Sequence, residues 1–350
     1  MSEVAETHPV GTAPPVGPAR AGGRRELGDS VKRNLVLVGV LILLLIIGAI
    51  TRSDIFTHAG RLWDNELTVL TQAASIGVVT IGMTFVMIGG GIDLSVGALL
   101  ALASVWCTTL QTQSYGAAAM VFTALVVAGS AGLINGLLIA FGRLVPFIAT
   151  LAMMVAARGL AQKISGSHTQ INRVTAINQL AVNKFLGIPD LVIILLLVAA
   201  LGWVLLNRTT FGRRTFAIGG NPEAARLAGI NVRWQTVALY VLSGLCCGIA
   251  AIMLTSQATS AQAAMANLYE LDAIAAAIIG GTLLSGGRGT IIGALFGVLV
   301  FSTITNLFAI NNLSTEVQNM VKGGIIVAAV LIQQFRFRSV TQLLGRKPTS

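Results

Sequence analysis

The sequence predicts an all-α integral membrane protein of about ten transmembrane helices, and three observations carry that reading. Only 10% of the 350 residues are charged, 55% are apolar, and the mean hydropathy is +0.82. A soluble domain carries about 25% charged residues to cover its surface. Uncharged runs at residues 94–142, 234–269 and 290–314 each exceed the roughly 20 residues that cross a bilayer as helix. These runs are continuous rather than alternating, which argues against a transmembrane β-barrel.

The elements follow in order. Residues 1–30, with Pro9, Pro14, Pro15, Pro18 and mixed charges, read as a disordered cytoplasmic leader. The apolar run after Lys32 and Arg33 ends at Ile50, Thr51 and Arg52 without a small-residue cleavage site, so it reads as a retained first span. A polytopic domain then occupies 31–335, with spans expected at 35–50, 67–88, 94–110, 117–141, 147–162, 191–206, 235–255, 271–284, 290–310 and 319–333. The splits at 89–93 and 285–289 rest on glycine clusters. A basic tail, 336–350, closes the chain.

Charge placement orients these spans. Lys32 and Arg33, Arg143, the loop 207–234, Arg288, and Arg336, Arg338, Arg346 and Lys347 fall on one side, which the positive-inside rule makes cytoplasmic. Both termini are then cytoplasmic. The outer loop 163–190 departs from the rule, holding Lys163, Arg173 and Lys184 against Asp190. This distribution also explains the net charge of +10 without nucleic acid, because the basic residues sit where topology uses them. Cys107, Cys246 and Cys247 lie inside apolar segments and read as small buried side chains.

Ten spans with one odd leader span suggest an inverted repeat, spans two to five and seven to ten, as many transporters use for alternating access. A second match, Gly90–Gly91 with Gly97–Ala98–Leu99 against Gly286–Gly287 with Gly293–Ala294–Leu295, pairs spans three and nine in parallel; with 39 glycines in the chain it reads as coincidence.

Two features carry chemistry. The first is TTFGRRTFAIGGNPEAARLAGINV, 209–232. Asn221 can cap a helix, Pro222 suits its first position, Glu223 favours its positive end, and Gly229 suits a left-handed stop. So short a helix is unstable alone and needs a partner surface; lying on lipid headgroups beside Arg213, Arg214 and Arg226 is the alternative. The second is MIGGGIDLSVG, 87–97. From Leu67 to Gly142 Asp93 is the only charged residue, and an intramembrane charge is a functional hypothesis by default. Asp93 reads first as the cap of the third span and second as a site. Glu270 and Asp272 read as start signals of the eighth span, entered from outside. Asp93, Ser95, Asn135, Phe147 and Thr150 are the candidates for a polar path, each with helix packing as its plain alternative.

The motifs then bring a resemblance. Glu223, Ala224, Ala225 and Gly229 resemble the E-A-A-x-x-x-G coupling signature of ABC importer permeases. GIDLSVG (91–97), FIATLAMM (147–154), TFGRRTFAIGGNPEAARLAGINV (210–232) and ELDAIAAAIIGGTLLSGGRGTIIG (270–293) resemble blocks of ribose/xylose-type sugar permeases, in order from about 35 to 333. The resemblance implies a bacterial plasma-membrane subunit that translocates a monosaccharide, pentose or hexose. It implies partners: an ABC ATP-binding subunit, an extracytoplasmic sugar-binding protein, and a second permease copy in a homodimer or paralogous heterodimer. It makes Asn221, Pro222, Glu223, Ala224, Ala225, Arg226 and Gly229 the coupling helix. The chain itself is expected to be non-catalytic and to hold no cofactor, with ATP and magnesium on the partner. None of its five lysines follows a glycine, so it lacks the Gly-Lys pair of a P-loop. The alternative, an ion-coupled secondary transporter, would want more than one deeply buried carboxylate.

Overall fold

A computed structural model describes the backbone from residue 23 to 344 and the side chains from 33 to 331. Residues 1–22 of the leader lie outside the described residues, as do the side chains of the basic tail. The elements are α1 (Gly23–Thr51), α2 (Ser53–Phe56), α3 (Ala59–Ile88), α4 (Val96–Cys107), α5 (Leu110–Ser114), α6 (Gly116–Ala140) and α7 (Pro146–Ser165). After β1 (Gln170–Ile171), α8 (Thr175–Gln179), β2 (Lys184–Phe185) and β3 (Ile188–Pro189) come α9 (Asp190–Arg208), α10 (Thr210–Gly220), α11 (Pro222–Leu227) and α12 (Val232–Ala258). The chain continues through β4 (Ser260–Ala261), α13 (Tyr269–Ile279), α14 (Ile291–Ile310) and α15 (Thr315–Leu344).

All ten expected apolar runs fall on helices, but not all of those helices are full length. Seven among the described residues are long and apolar enough to span a membrane: those at Arg33–Thr51, Ala59–Ile88, Gly116–Ala140, Pro146–Ser165, Asp190–Arg208, Val232–Ala258 and Ile291–Ile310. The third and eighth runs become half-helices. At about 1.5 Å per residue, α4 with 12 residues and α13 with 11 are too short for a hydrocarbon core of about 30 Å.

The half-helices start in the middle of the bundle and run apart. The long helices α3 and α12 are antiparallel: a Cβ on Gly82 would meet Ser243 and Cys246 at 3.0 Å, and Gln257 Nε2 donates to Thr71 O at 2.6 Å. Asp93, just before α4, meets Ser243 near the middle of α12, and Ser104 Oγ donates to Ala251 O further along. Thr108 and Gln113, at the far end of α4, bond Gln170 and Ile171 of β1, which pairs antiparallel with β4. So α4 climbs from mid-bundle toward the β1–β4 ladder. The chain leaves that ladder after β4 and folds back inward, so that Ala266 and Glu270 lie against Gly97. From there α13 runs toward the α11 end, where Gly287 N donates to Ile88 O at 2.8 Å.

This corrects the expectation that Glu270 and Asp272 open a span at the outer surface. The re-entrant stretch 262–268 carries the start of α13 to mid-bundle first. Ala263, Met265 and Ala266 of that stretch are buried while Gln262, Ala264, Asn267 and Leu268 are exposed; non-helical backbone at this depth is tolerated where protein holds it or a cavity receives it.

The packing obeys the inverted repeat. α4 packs on α6, α7 and α12, while α13 packs on α14, α15 and α3; exchanging α3, α4, α6 and α7 for α12, α13, α14 and α15 maps one set onto the other. The glycine match between spans three and nine is not this repeat, which relates α4 to α13. Its two clusters nevertheless touch: Gly90 and Gly286 both have positive φ (85° and 84°), and a Cβ on Gly286 would lie 2.9 Å from Gly90 Cα.

Close helix approach explains the glycines of α6 and α12. Gly132 and Gly136 face Tyr240 and Val237, and Gly244 and Gly248 face Ala128 and Ala124. Both are small-xxx-small pairs, which let membrane helices pack backbone to backbone.

Candidate functional site: an exposed capped helix and a buried polar junction

At the α11 end, the local sequence signals fold as their chemistry dictates. Asn221 Oδ1 accepts from the amides of Glu223 and Ala224, both at 3.0 Å, with Pro222 next in the first turn. Glu223 and Arg226 pair across one turn through Nη2–Oε1 at 2.6 Å and Nε–Oε2 at 3.1 Å. That bidentate contact holds the Glu223 carboxyl below its usual range, so it stays ionised at neutral pH. Gly229, at φ 82°, closes the helix: its amide bonds Arg226 O while the Ile230 amide bonds Ala225 O, the paired closure that a left-handed stop makes.

Only Ala225 of this helix is buried. Leu227 is 75% exposed, an apolar side chain on a face with nothing over it. By contrast α10 is fixed to the bundle. Its buried positions Gly212, Thr215 and Ile218 recur every third residue, and Gln235 Nε2 donates to Phe211 O and Thr215 Oγ1. Gly219 sits against Ile88 O of α3 and Gly287 N of the turn after α13, with no room for a Cβ. The C-terminal end of α10 therefore touches both repeats, at the end of α3 and at the turn after α13.

In mid-bundle, Asp93 is fully buried. Its Oδ1 accepts from Ser95 N at 3.0 Å and Ser95 Oγ at 2.5 Å, and its Oδ2 from Ser243 Oγ at 2.9 Å. Asn135 Nδ2 donates to Ser95 Oγ at 2.9 Å, and Tyr240 donates its hydroxyl to Ile92 O. This corrects the reading of Asp93 as the cap of the third span: the helix starts at Val96 with Ser95 as its cap residue and no side-chain cap bond. The Asp93 carboxylate sits two residues earlier, bonds the Ser95 amide and hydroxyl, and ties that start to α12 and, through Asn135, to α6.

Three of the five path candidates, Asp93, Ser95 and Asn135, thus form one hydrogen-bonded group. Thr150 is buried but spends its hydroxyl on Pro146 O of its own helix at 2.9 Å. Phe147 is 52% exposed, on the outside of α7.

In the sequence, Glu270 and Asp272 read only as the start of a span and are not placed among the site residues. Arg158 of α7 bonds Ala263 O at 2.5 Å and Met265 O at 2.6 Å, spanning the re-entrant stretch. Glu270 is 8% exposed beside Gly97. Two residues on, Asp272 pairs with Lys322 of α15 at 3.2 Å, and Lys322 also lies over the Phe301 ring. Ionisable residues inside apolar runs were the available signal; their meeting depends on a chain reversal that leaves no local mark.

Comparison with known proteins agrees with this architecture. The family described as branched-chain amino acid transport system / permease component matches residues 65–330. The ribose import permease protein of Bacillus subtilis is 42% identical over 272 residues, 77% of this chain and 84% of that protein. The galactofuranose transporter permease of Escherichia coli is 34% identical over 307 residues, 87% of this chain and 90% of that protein. The L-arabinose ABC transporter permease of Azospirillum brasilense is 32% identical over 336 residues, covering 96% of this chain and 97% of that protein. No solved structure matches the chain. The order of spans, the capped helix between the two repeats and the extent of these matches lead to one conclusion: the chain belongs to the branched-chain amino acid transport system / permease component family.

Proposed function

We propose that the chain is the membrane subunit of an ABC importer that passes a monosaccharide across the bacterial plasma membrane, both termini being cytoplasmic. A separate subunit hydrolyses ATP, an extracytoplasmic protein delivers the sugar at the ladder end, and a second permease copy completes the pore. The single observation that supports this most is α11, a six-residue helix closed at both ends and exposed, seated on an α10 that is locked to both repeats. A helix this short holds its shape by its caps rather than its length, which suits a rigid knob fitting into a partner.

The mechanism follows from what α10 touches. A displacement of α11 by the ATPase moves Gly219, which lies between the end of α3 and the turn after α13. Both half-helices hang from those two points, so one push reaches both glycine breaks. Asp93, Ser95 and Asn135 keep the start of α4 tied to α6 and α12 during that motion, and Phe147 and Thr150 belong to the α7 wall beside it.

The test is reconstitution with the separately encoded ATPase and binding protein. The three should co-purify, sugar uptake should require ATP, and Glu223→Ala should weaken ATP-driven uptake while the permease still inserts. Uptake that persists without the ATPase and collapses with the proton gradient would replace this reading by ion-coupled transport.

A further inference from the structure

We propose that the meeting point of α4 and α13 is a binding station for a sugar hydroxyl, with Glu270 as its principal acceptor. The inference rests on the sugar-permease reading and adds a place where this subunit itself holds the solute. Both half-helices present their N-terminal ends there: Val96 opens α4 and Tyr269 opens α13. Gly97, in the first turn of α4, would with a Cβ stand 2.6 Å from Glu270 Oε2.

The second observation is an unmet hydrogen-bond capacity. Glu270 is 8% exposed, and its Oε2 has no hydrogen-bond partner. Asn135, fully buried, gives Nδ2 to Ser95 and leaves Oδ1 without a partner. The first-turn amides of α4 have no carbonyls of their own helix to bond. Two buried acceptors without donors suit a group that donates, and a hydroxyl is the simplest neutral one, able to accept from a helix-start amide as well.

Charge narrows the ligand. A cation would face the Arg158 guanidinium and the positive ends of two helices. An anion would face Glu270 and Asp93. A neutral polyol meets neither objection. Access is short, because Asn267 and Leu268, immediately before α13, are exposed. Among the described residues, Arg158 is the side chain that hydrogen-bonds the stretch covering Glu270, beside the packing of Ala263, Met265 and Ala266, and Ala266 and Leu268 sit there at φ 55° and 66°. Non-glycine residues in that region are strained and persist only while neighbours hold them. Arg158 is thus a positioning residue that keeps the cover closed.

The test uses the complete transporter, with uptake of D-ribose, L-arabinose and D-galactose measured first and then monodeoxy analogues of the sugar carried best, each at a concentration saturating the binding protein. Glu270→Ala should lower uptake of the parent sugar about 10–100-fold. Glu270→Gln, which keeps shape and a neutral acceptor, should lower it less, by about tenfold or under. For one analogue, the one lacking the hydroxyl that Glu270 receives, variant and wild type should be carried equally. Both variants should bind the ATPase subunit as wild type does, which certifies the fold. If parent and every analogue fall in the same proportion, Glu270 serves packing alone and the station is overturned, although the permease function stands. If wild type carries none of the three sugars, the sugar-permease reading falls and the station with it.

Discussion

Replacing Asp93 separates a structural tie at the start of α4 from a transport group. Asp93→Ala removes an acceptor for three donors: the Ser95 amide, the Ser95 hydroxyl and the Ser243 hydroxyl. Hydrogen bonds inside membrane proteins contribute about 0.6 kcal/mol on average and up to about 1.7, so losing all three should cost about 2–5 kcal/mol. Asp93→Asn keeps Oδ1 for both Ser95 donors. Its amide nitrogen then donates to Ser243 Oγ, whose hydroxyl can accept, and the cost should stay near ~1 kcal/mol or below. Asp93→Ser can still cap the Ser95 amide but is too short to reach α12, so it should fall between the two. The assay is a thermal melt of the detergent-purified protein, read beside uptake. An alanine variant as stable as wild type, or an asparagine variant as damaged as alanine, would refute this structural account. An asparagine variant that melts normally yet transports nothing would assign the carboxylate a role in translocation.

Two further outcomes test the transmission and the framework. Gly219→Ala places a methyl against Ile88 O and 2.5 Å from Gly287 N, backbone that cannot give way; the overpacking should cost about 1–3 kcal/mol. ATPase docking on α11 should survive in that variant while uptake per ATP falls, and normal coupling would show that α10 does not carry the motion. The Lys322–Asp272 pair, with side chains 18% and 14% exposed, should behave as a buried pair: Lys322→Met alone should cost about 3–5 kcal/mol by stranding the carboxylate. Adding Asp272→Asn should recover most of the lost melting temperature, and a double variant no better than the single would disprove the pairing.

How far the fold was legible depends on the range of each signal. Continuous apolar runs marked the ten helices of the bundle, because crossing an apolar layer constrains composition whatever the neighbours do; they did not mark the short α2, α5 and α8 or the loop helix α10. The cap at Asn221, the ion pair of Glu223 with Arg226 and the stop at Gly229 all act within a few residues, so that helix was readable in detail. The glycines of α6 and α12 were visible but silent, since Gly132–Gly136 and Gly244–Gly248 gain meaning only when the two helices meet.

The half-helices were not legible, and the reason is physical. A run of apolar residues looks the same whether it crosses the layer or stops halfway inside protein, because both surroundings are equally dry. Glu270 illustrates the consequence. In the chain it reads as an acid at the start of a span, whereas the fold-back at 262–268 buries it against Gly97. Phe147 shows the converse, an aromatic in a promising run that the packing leaves on the outer face of α7. The sequence by itself determined the class, the orientation signals and the capped helix, all of which rest on composition or on contacts between near neighbours. Only the tertiary structure decided where the two half-helices begin and which carboxylates share mid-bundle, because those depend on what the opposite repeat supplies as surroundings.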